Sequence, residues 1–149
     1  MTTSDLKTLV FEPVAEPDKE DLESLRQGLR AYNESKIGKF EHKKIASFVK
    51  NAQKKVVAGI FGELAWDWLH IEWLWVSKEL RGNGTGFRLM NQIEDYAFKN
   101  GIHRCYLETG SFQARDFYIK KGFEIFGELK DMPPGHITYY LKKEIRKIP

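Results

Sequence analysis

The chain has 149 residues, 42% of them hydrophobic and 30% charged, the size and balance of one globular domain rather than a disordered or fibrous chain. Its net charge of +3, from 24 basic and 21 acidic residues, is too even to identify nucleic acid as a partner. A single cysteine, Cys105, excludes an intramolecular disulfide and makes the cytoplasm the expected location.

Taken in chain order, Met1–Lys7 lacks the basic-then-apolar pattern of a signal peptide. Residues 1–25 hold seven acids against Lys7 and Lys19, which leaves the remainder net basic. Both runs read first as solvated surface, and second as an acidic lip for a cationic substrate and a basic one for an anionic cofactor. Thr8–Val14 is a β-rich run closed by Ala15-Glu16-Pro17. From Asp18 onward, Leu22, Leu25, Leu29 and Tyr32 recur at helical spacing behind acids in the first turn, predicting an amphipathic helix that ends near Ile37-Gly38. Lys44–Lys50 and Lys54–Leu64 read as strands around the turn Asn51-Ala52-Gln53, although Ile45, Phe48, Val49 and Ala52 also suit one helical face. Leu69–Val76, dense in β-branched and aromatic residues, predicts a central strand. The apolar stretches near it are broken by Glu63, Asp67, His70 and Glu72, short of a membrane span.

After the loop Ser77–Gly84 comes a helix with the stripe Gly86, Leu89, Met90, Ile93 and Ala97, stopped by Asn100-Gly101. Ile102–Glu108 is the next strand. Ser111 is placed to cap a helix running to Lys121, with Gly122 as its stop. Phe123–Leu129 and Ile137–Lys143 are strands flanking the loop Met132–His136. No repeat or linker interrupts this order, so residues 1–149 read as a single domain. The succession β-α-β-β-β-α-β-α-β-β implies a mixed sheet with helices packed on it.

The segment Arg81-Gly82-Asn83-Gly84-Thr85-Gly86 joins a buried strand to a helix. A helix start offers free backbone N–H groups and the positive end of the dipole, and glycines remove the Cβ atoms that would hold a phosphate away. Arg81 adds charge and Thr85 a hydroxyl donor. A Walker loop is excluded because no lysine follows Gly84 or Gly86. A dinucleotide fingerprint would need glycine where Phe87 stands, although Glu108 is spaced to meet a ribose. A turn that only joins strand to helix is the bland alternative; the charge and the amphipathic helix favour a phosphate.

These residues resemble the GNAT superfamily of acetyl-CoA-dependent N-acetyltransferases. Arg81-Gly82-Asn83-Gly84-Thr85-Gly86 is similar to the family loop Arg/Gln-x-x-Gly-x-Gly/Ala, and Phe117-Tyr118-Ile119-Lys120-Lys121-Gly122-Phe123 to its second element, Phe/Leu-Tyr-x-x-x-Gly-Phe. Ser111-Phe112-Gln113-Ala114 and Pro134-Gly135-His136 resemble a narrower bacterial subgroup. The resemblance covers Lys54 to Lys143 well and the first third by element order. It implies an α+β, three-layer α/β/α sandwich, the GNAT acyl-CoA N-acyltransferase fold. The central sheet would be mixed and mostly antiparallel, splayed between its fourth and fifth strands, Leu69–Val76 and Ile102–Glu108. It further implies that pantetheine lies along the backbone of Leu74, Trp75 and Val76 and the pyrophosphate on the glycine loop. Ser111, Ala114 and Phe117 would complete the contacts. Ser111 stands where the family commonly has asparagine. A β-bulge near Leu74 would aim an N–H at the thioester carbonyl.

Acetyl transfer needs a neutral amine, hence a base, and a donor for the leaving thiolate. By resemblance Tyr118 is the donor, its phenol staying protonated at neutral pH; the alternative is a buried aromatic on the face Ala114, Phe117, Tyr118 and Lys121. His70, Glu72, Leu74 and Val76 alternate along one strand face if no bulge intervenes, so His70 and Glu72 are both base candidates. Either one alone has a bland alternative, a core histidine or an outward salt-bridge partner. Trp66, Trp68, Trp73 and Trp75 read mostly as core, one of them as a wall for a cation. His42, His70, His103 and His136 lack metal-ligand spacing, so no metal is expected. Cys105 reads as a small core residue.

The expected function is transfer of the acetyl group from acetyl-CoA to a primary amine of an unidentified small molecule or peptide, by direct attack in a ternary complex. The alternatives are a non-catalytic acyl-CoA-binding or regulatory module and, more distantly, a toxin acting on aminoacyl-tRNA. The resemblance also implies a homodimer. No nucleic-acid or membrane partner is expected.

Overall fold

Asp18 starts the first helix, α1 (Lys19–Ile37), because its carboxylate accepts the Glu20 N–H at 2.8 Å, supplying one of the acceptors a helix start lacks. Glu20 and Asp21 in the first turn suit the helix dipole. Gly38 ends it with φ +79° and returns its N–H to the Glu34 carbonyl at 2.9 Å. The structure, a computed structural model, describes residues 9–146. Its chain forms two compact units, divided between Lys39 and Phe40. The first holds α1. The strand expected at Thr8–Val14 is not formed: Leu9–Val14 is irregular, and Thr8 lies outside the described residues. Strand propensity alone makes no strand without a partner edge.

The second unit carries β1 (Lys43–Lys50), β2 (Val56–Ala65), β3 (Trp68–Val76), α2 (Thr85–Lys99), β4 (Arg104–Gly110), α3 (Arg115–Lys120), β5 (Glu124–Lys130) and β6 (Ile137–Glu144). The strands form one sheet in the order β1-β2-β3-β4-β6-β5. Every neighbouring pair is antiparallel except β3 and β4. The α+β class and mixed sheet expected from the sequence are therefore present. The splay expected between the fourth and fifth strands falls between β3 and β4. These are the same two segments, renumbered because Thr8–Val14 adds no strand.

Alternation dictates the core. Ala58, Ile60 and Leu64 of β2, Leu69 and Ile71 of β3, and Cys105 and Leu107 of β4 are all buried together with Leu89, Met90, Ile93 and Ala97 of α2. One charge goes in with them. Glu94 is 3% exposed and accepts two hydrogen bonds from Lys143 of β6, at 2.9 and 3.0 Å. Lys121, at the end of α3, stands 3.7 Å from the same carboxylate, and burial lowers its pKa. The Lys143 ammonium also donates to the Lys121 carbonyl at 3.0 Å. This cluster ties α2, α3 and β6 together. No helix among the described residues is long and apolar enough to cross a membrane.

Candidate active site

The sheet opens where β3 and β4 part. Their parallel pairing covers only Leu69 with Cys105, His70 with Tyr106 and Ile71 with Leu107. Beyond Ile71, β3 stays paired to β2 through Leu74, Trp75 and Val76, while β4 stays paired to β6 as far as Gly110. The two facing edges between them have no strand partner, and their unpaired groups can hydrogen-bond an extended guest.

A bulge sits at the mouth of this opening. Phe61 faces Trp73 and Gly62 faces Ile71, so Glu72 is the extra residue of β3. It lies two residues earlier than the bulge expected near Leu74. The insertion also overturns the alternation of His70, Glu72, Leu74 and Val76 on one face. Leu69 and Ile71 are buried before it, and Leu74 and Val76 pack on the same core after it. His70 therefore shares its face with Trp73 and Trp75 instead. The tryptophans consequently are not core: Trp66, Trp73 and Trp75 are all more than half exposed. Trp73 meets Phe61 with ring centroids 4.8 Å apart, and Trp66 occupies the β2–β3 turn at φ +48°. Gly62 permits the bulge, since a Cβ there would collide with the His70 carbonyl oxygen.

Past β3, a short 3-10 turn (Lys78–Leu80) leads to Arg81, whose Nε donates to the Val76 carbonyl at 3.0 Å. This bond folds the side chain back on the strand end and leaves its outer nitrogens available. Gly82 and Gly84 take φ +77° and +73°, and a Cβ on either would meet no protein atom within 4 Å. Asn83 between them is exposed. Helix α2 begins at Thr85 with no side-chain cap. The N–H groups of Thr85, Gly86 and Phe87 thus lack intrahelical acceptors, and Arg88 is the first to find one, on Gly84 at 3.0 Å. The Thr85 hydroxyl reaches the Leu80 carbonyl at 3.5 Å. Gly86 also governs packing between helices. A Cβ there would come 3.2 Å from the Phe117 ring, so its absence lets α3 approach α2.

Ser111 is not the cap of α3. The helix starts at Arg115 with Ala114 at the cap position. The Ser111 hydroxyl instead accepts the Ile137 N–H at 3.1 Å and lies 3.3 Å from His136 Nδ1. The turn is closed by Gln113, whose side-chain carbonyl accepts the Gly110 N–H at 2.7 Å. Ser111, Ala114 and Phe117 nevertheless share one cleft of about 270 Å³ with Gln113, Arg115, Asp116 and Tyr139. The Arg115 guanidinium lies 5.3 Å over the Tyr139 ring in its wall.

Tyr118 is 7% exposed, edge-on to Phe117 and Phe123. Burial, with a smaller contribution from Cys105, pushes its phenol up to about 12. Its hydroxyl bonds to no protein group among the described residues, and none of their buried side-chain polar atoms is left unpaired. The hydroxyl therefore keeps some contact with solvent. A phenol at about 12 would lose about 5 kcal/mol in passing its proton to a thiolate near 8.5. Its suitable act is to donate a hydrogen bond. Cys105 is buried, and burial pushes its thiol up further still.

Sequence reasoning missed one partner. His70 Nε2 lies 2.7 Å from Glu108 Oε2, so Glu108 meets the imidazole and not a ribose. The Tyr106 ring stacks on His70 at 4.3 Å and 1°. Burial raises the Tyr106 pKa, with further contributions from Glu108, Glu63 and Glu72. Glu72 itself is exposed at the bulge. Tyr106 and Glu108, two apart on one strand, carry the signal, but only the parallel register shows that it belongs to His70.

Residues 10–123 match the model of the acetyltransferase (GNAT) family. The chain is 34% identical over 101 residues to the blasticidin-S acetyltransferase of Streptomyces morookaense, covering 67% of this chain and 74% of that one. It is 29% identical over 126 residues to an acetyltransferase of Agrobacterium fabrum, covering 85% and 92%. A solved acetyltransferase from Bacillus cereus superimposes with a TM-score of 0.79 at 29% identity, covering 89% of this chain and 97% of that one.

Proposed function

The chain belongs to the acetyltransferase (GNAT) family, and from that premise we propose that it acetylates a primary amine of a small molecule or peptide by direct attack in a ternary complex. It is an acetyltransferase with acetyl-CoA as its donor. The observation that carries the proposal is the parting of β3 and β4 beside the uncapped start of α2.

The donor fits these residues. Gly82 and Gly84 leave open the space a Cβ would fill, and the N–H groups of the α2 start, with Arg81, Asn83, Thr85 and Gly86, hold the diphosphate. Leu74, Trp75 and Val76 offer the pantetheine amides the edge of β3 that has no strand partner, the Val76 carbonyl being shared with Arg81. Ser111, Ala114 and Phe117 line the cleft on the α3 side. His70 takes a proton from the acceptor ammonium, with Glu72 the second candidate for that step. The half-buried, paired His70 is better held than the exposed Glu72. A main-chain N–H beyond the bulge stabilises the oxyanion. Tyr118 donates a hydrogen bond to the departing thiolate.

The family match crosses the boundary at Lys39 and Phe40, which supports reading the whole chain as one catalytic domain. A homodimer and a cytoplasmic setting belong to the same proposal, and sedimentation measures the first. The test of function is incubation with acetyl-CoA and an amine panel that includes blasticidin S, scored by thiol release and product mass. Acetylated product is expected. Absence of turnover together with absence of CoA binding in calorimetry overturns the reading.

A further inference from the structure

We propose that Glu108 is a positioning residue for the reaction: it holds the His70 imidazole with Nε2–H bound and Nδ1 free to accept the acceptor's proton. The inference rests on the assignment of His70 as base made above. An ionised carboxylate can only accept, so at 2.7 Å it is Nε2 that carries the hydrogen. The neutral ring then keeps its lone pair on Nδ1, which bonds to no protein group among the described residues. The Tyr106 ring, parallel to within 1°, fixes the plane in which that lone pair lies.

The placement follows from the register. His70 pairs with Tyr106, one step before β3 and β4 cease to pair, and Glu108 is the first β4 residue past the last pair. The dyad thus spans the point where the sheet opens. Proton transfer breaks an N–H bond of the acceptor ammonium and forms Nδ1–H. The resulting imidazolium faces a carboxylate already bonded to it, and its proton returns to solvent after turnover. The other ionisable groups around the dyad are Glu63, registered opposite His70 on β2, Tyr106 stacked on the ring, and Lys142 and Tyr140 of β6, registered opposite Tyr106 and Glu108; Glu72 is exposed at the bulge. Glu63 is itself paired to His42 at 3.2 Å, which leaves Glu108 as the carboxylate in direct contact.

The test compares wild type, His70→Ala and Glu108→Gln, the last keeping the shape of the side chain while removing its charge. Nitrogen-15 NMR follows the four histidines, and the resonances absent from His70→Ala identify His70. A glutamine amide donates as well as accepts, so Glu108→Gln no longer requires the hydrogen on Nε2, and the His70 nitrogen shifts should move from the Nε2–H form towards a mixture of tautomers. The rate is measured with an amine turned over in the panel, on the plateau of kcat against pH. The plateau should fall roughly 10-fold with KM for acetyl-CoA unchanged, against a loss of about 100-fold or more in His70→Ala. If His70→Ala is impaired but the Glu108→Gln nitrogen shifts and kcat match wild type, the positioning role is wrong and the base assignment stands. If His70→Ala keeps full turnover, both fall.

Discussion

Replacing Gly62 by alanine tests the local geometry on which the site depends. Gly62 lies opposite Ile71, and its Cβ would collide with the His70 carbonyl oxygen while touching the His70 carbonyl carbon and Leu69 Cδ1 at 3.4 Å each. The obstacle is main chain at a bulge, so no rotamer relieves it, and β2 and β3 must separate locally. Overpacking of this kind costs about 1–3 kcal/mol, and weakening the ladder on either side adds about 1 kcal/mol per hydrogen bond lost. A total of about 3 kcal/mol corresponds to a fall in Tm of roughly 6–12 °C for a chain of this length. The carbonyl that must move belongs to the proposed base, so kcat should also fall at temperatures where the variant is fully folded. Thermal unfolding by circular dichroism and steady-state kinetics at about 20 °C, near the usual maximum of stability, measure the two effects. Gly28→Ala is the control: no atom lies within 4 Å of a Cβ there, and within α1 the change should stabilise by about 1 kcal/mol. A Gly62→Ala protein with wild-type Tm and kcat would refute the bulge and the approach of the strands around it.

Further outcomes follow from other parts of the site and core. Tyr118→Phe should lower kcat about 10- to 100-fold with little change in KM for acetyl-CoA, because it removes the hydrogen bond proposed to form to the departing thiolate; unchanged kcat refutes the assignment. The folded phenol titrates near 12 against 10 for the ordinary group. Its contribution to stability is therefore complete below about pH 10 and lost as pH rises toward 12, so wild type should lose more stability than Tyr118→Phe across that interval in pH-dependent chemical denaturation. Gly84→Ala places an L-residue at φ +73° and should cost about 1–2 kcal/mol of stability. Because no protein atom crowds the new methyl, a drop in CoA affinity measured by calorimetry reports the ligand meeting it. Lys143→Met leaves the Glu94 carboxylate buried without its main partner and should destabilise by about 3–5 kcal/mol, read as a fall in Tm; a change under about 1 kcal/mol, the usual size of an exposed pair, would contradict that role.

The elements legible in the amino-acid order are those whose signals are local. Asp18 and Gly38 bound α1, the stripe Leu89, Met90, Ile93 and Ala97 places α2, and Asn100-Gly101 ends it. The same holds for the glycine loop proposed to cradle the diphosphate, since φ above zero at Gly82 and Gly84 and an uncapped helix start are properties of a few consecutive residues. Features that depend on pairing between distant segments emerged only in the folded chain. One extra residue in β3, invisible to a period of two, moved Leu74 and Val76 to the core face and left Trp73 and Trp75 exposed. Ser111 turned from a helix cap into a tie to β6 because Ile137 lies across the ladder from it. Glu108 became the partner of His70 through a parallel register of three residue pairs. Register is a balance of contacts between residues as far apart in the chain as Arg104 and Glu144, and a one-residue shift reverses every side chain beyond it.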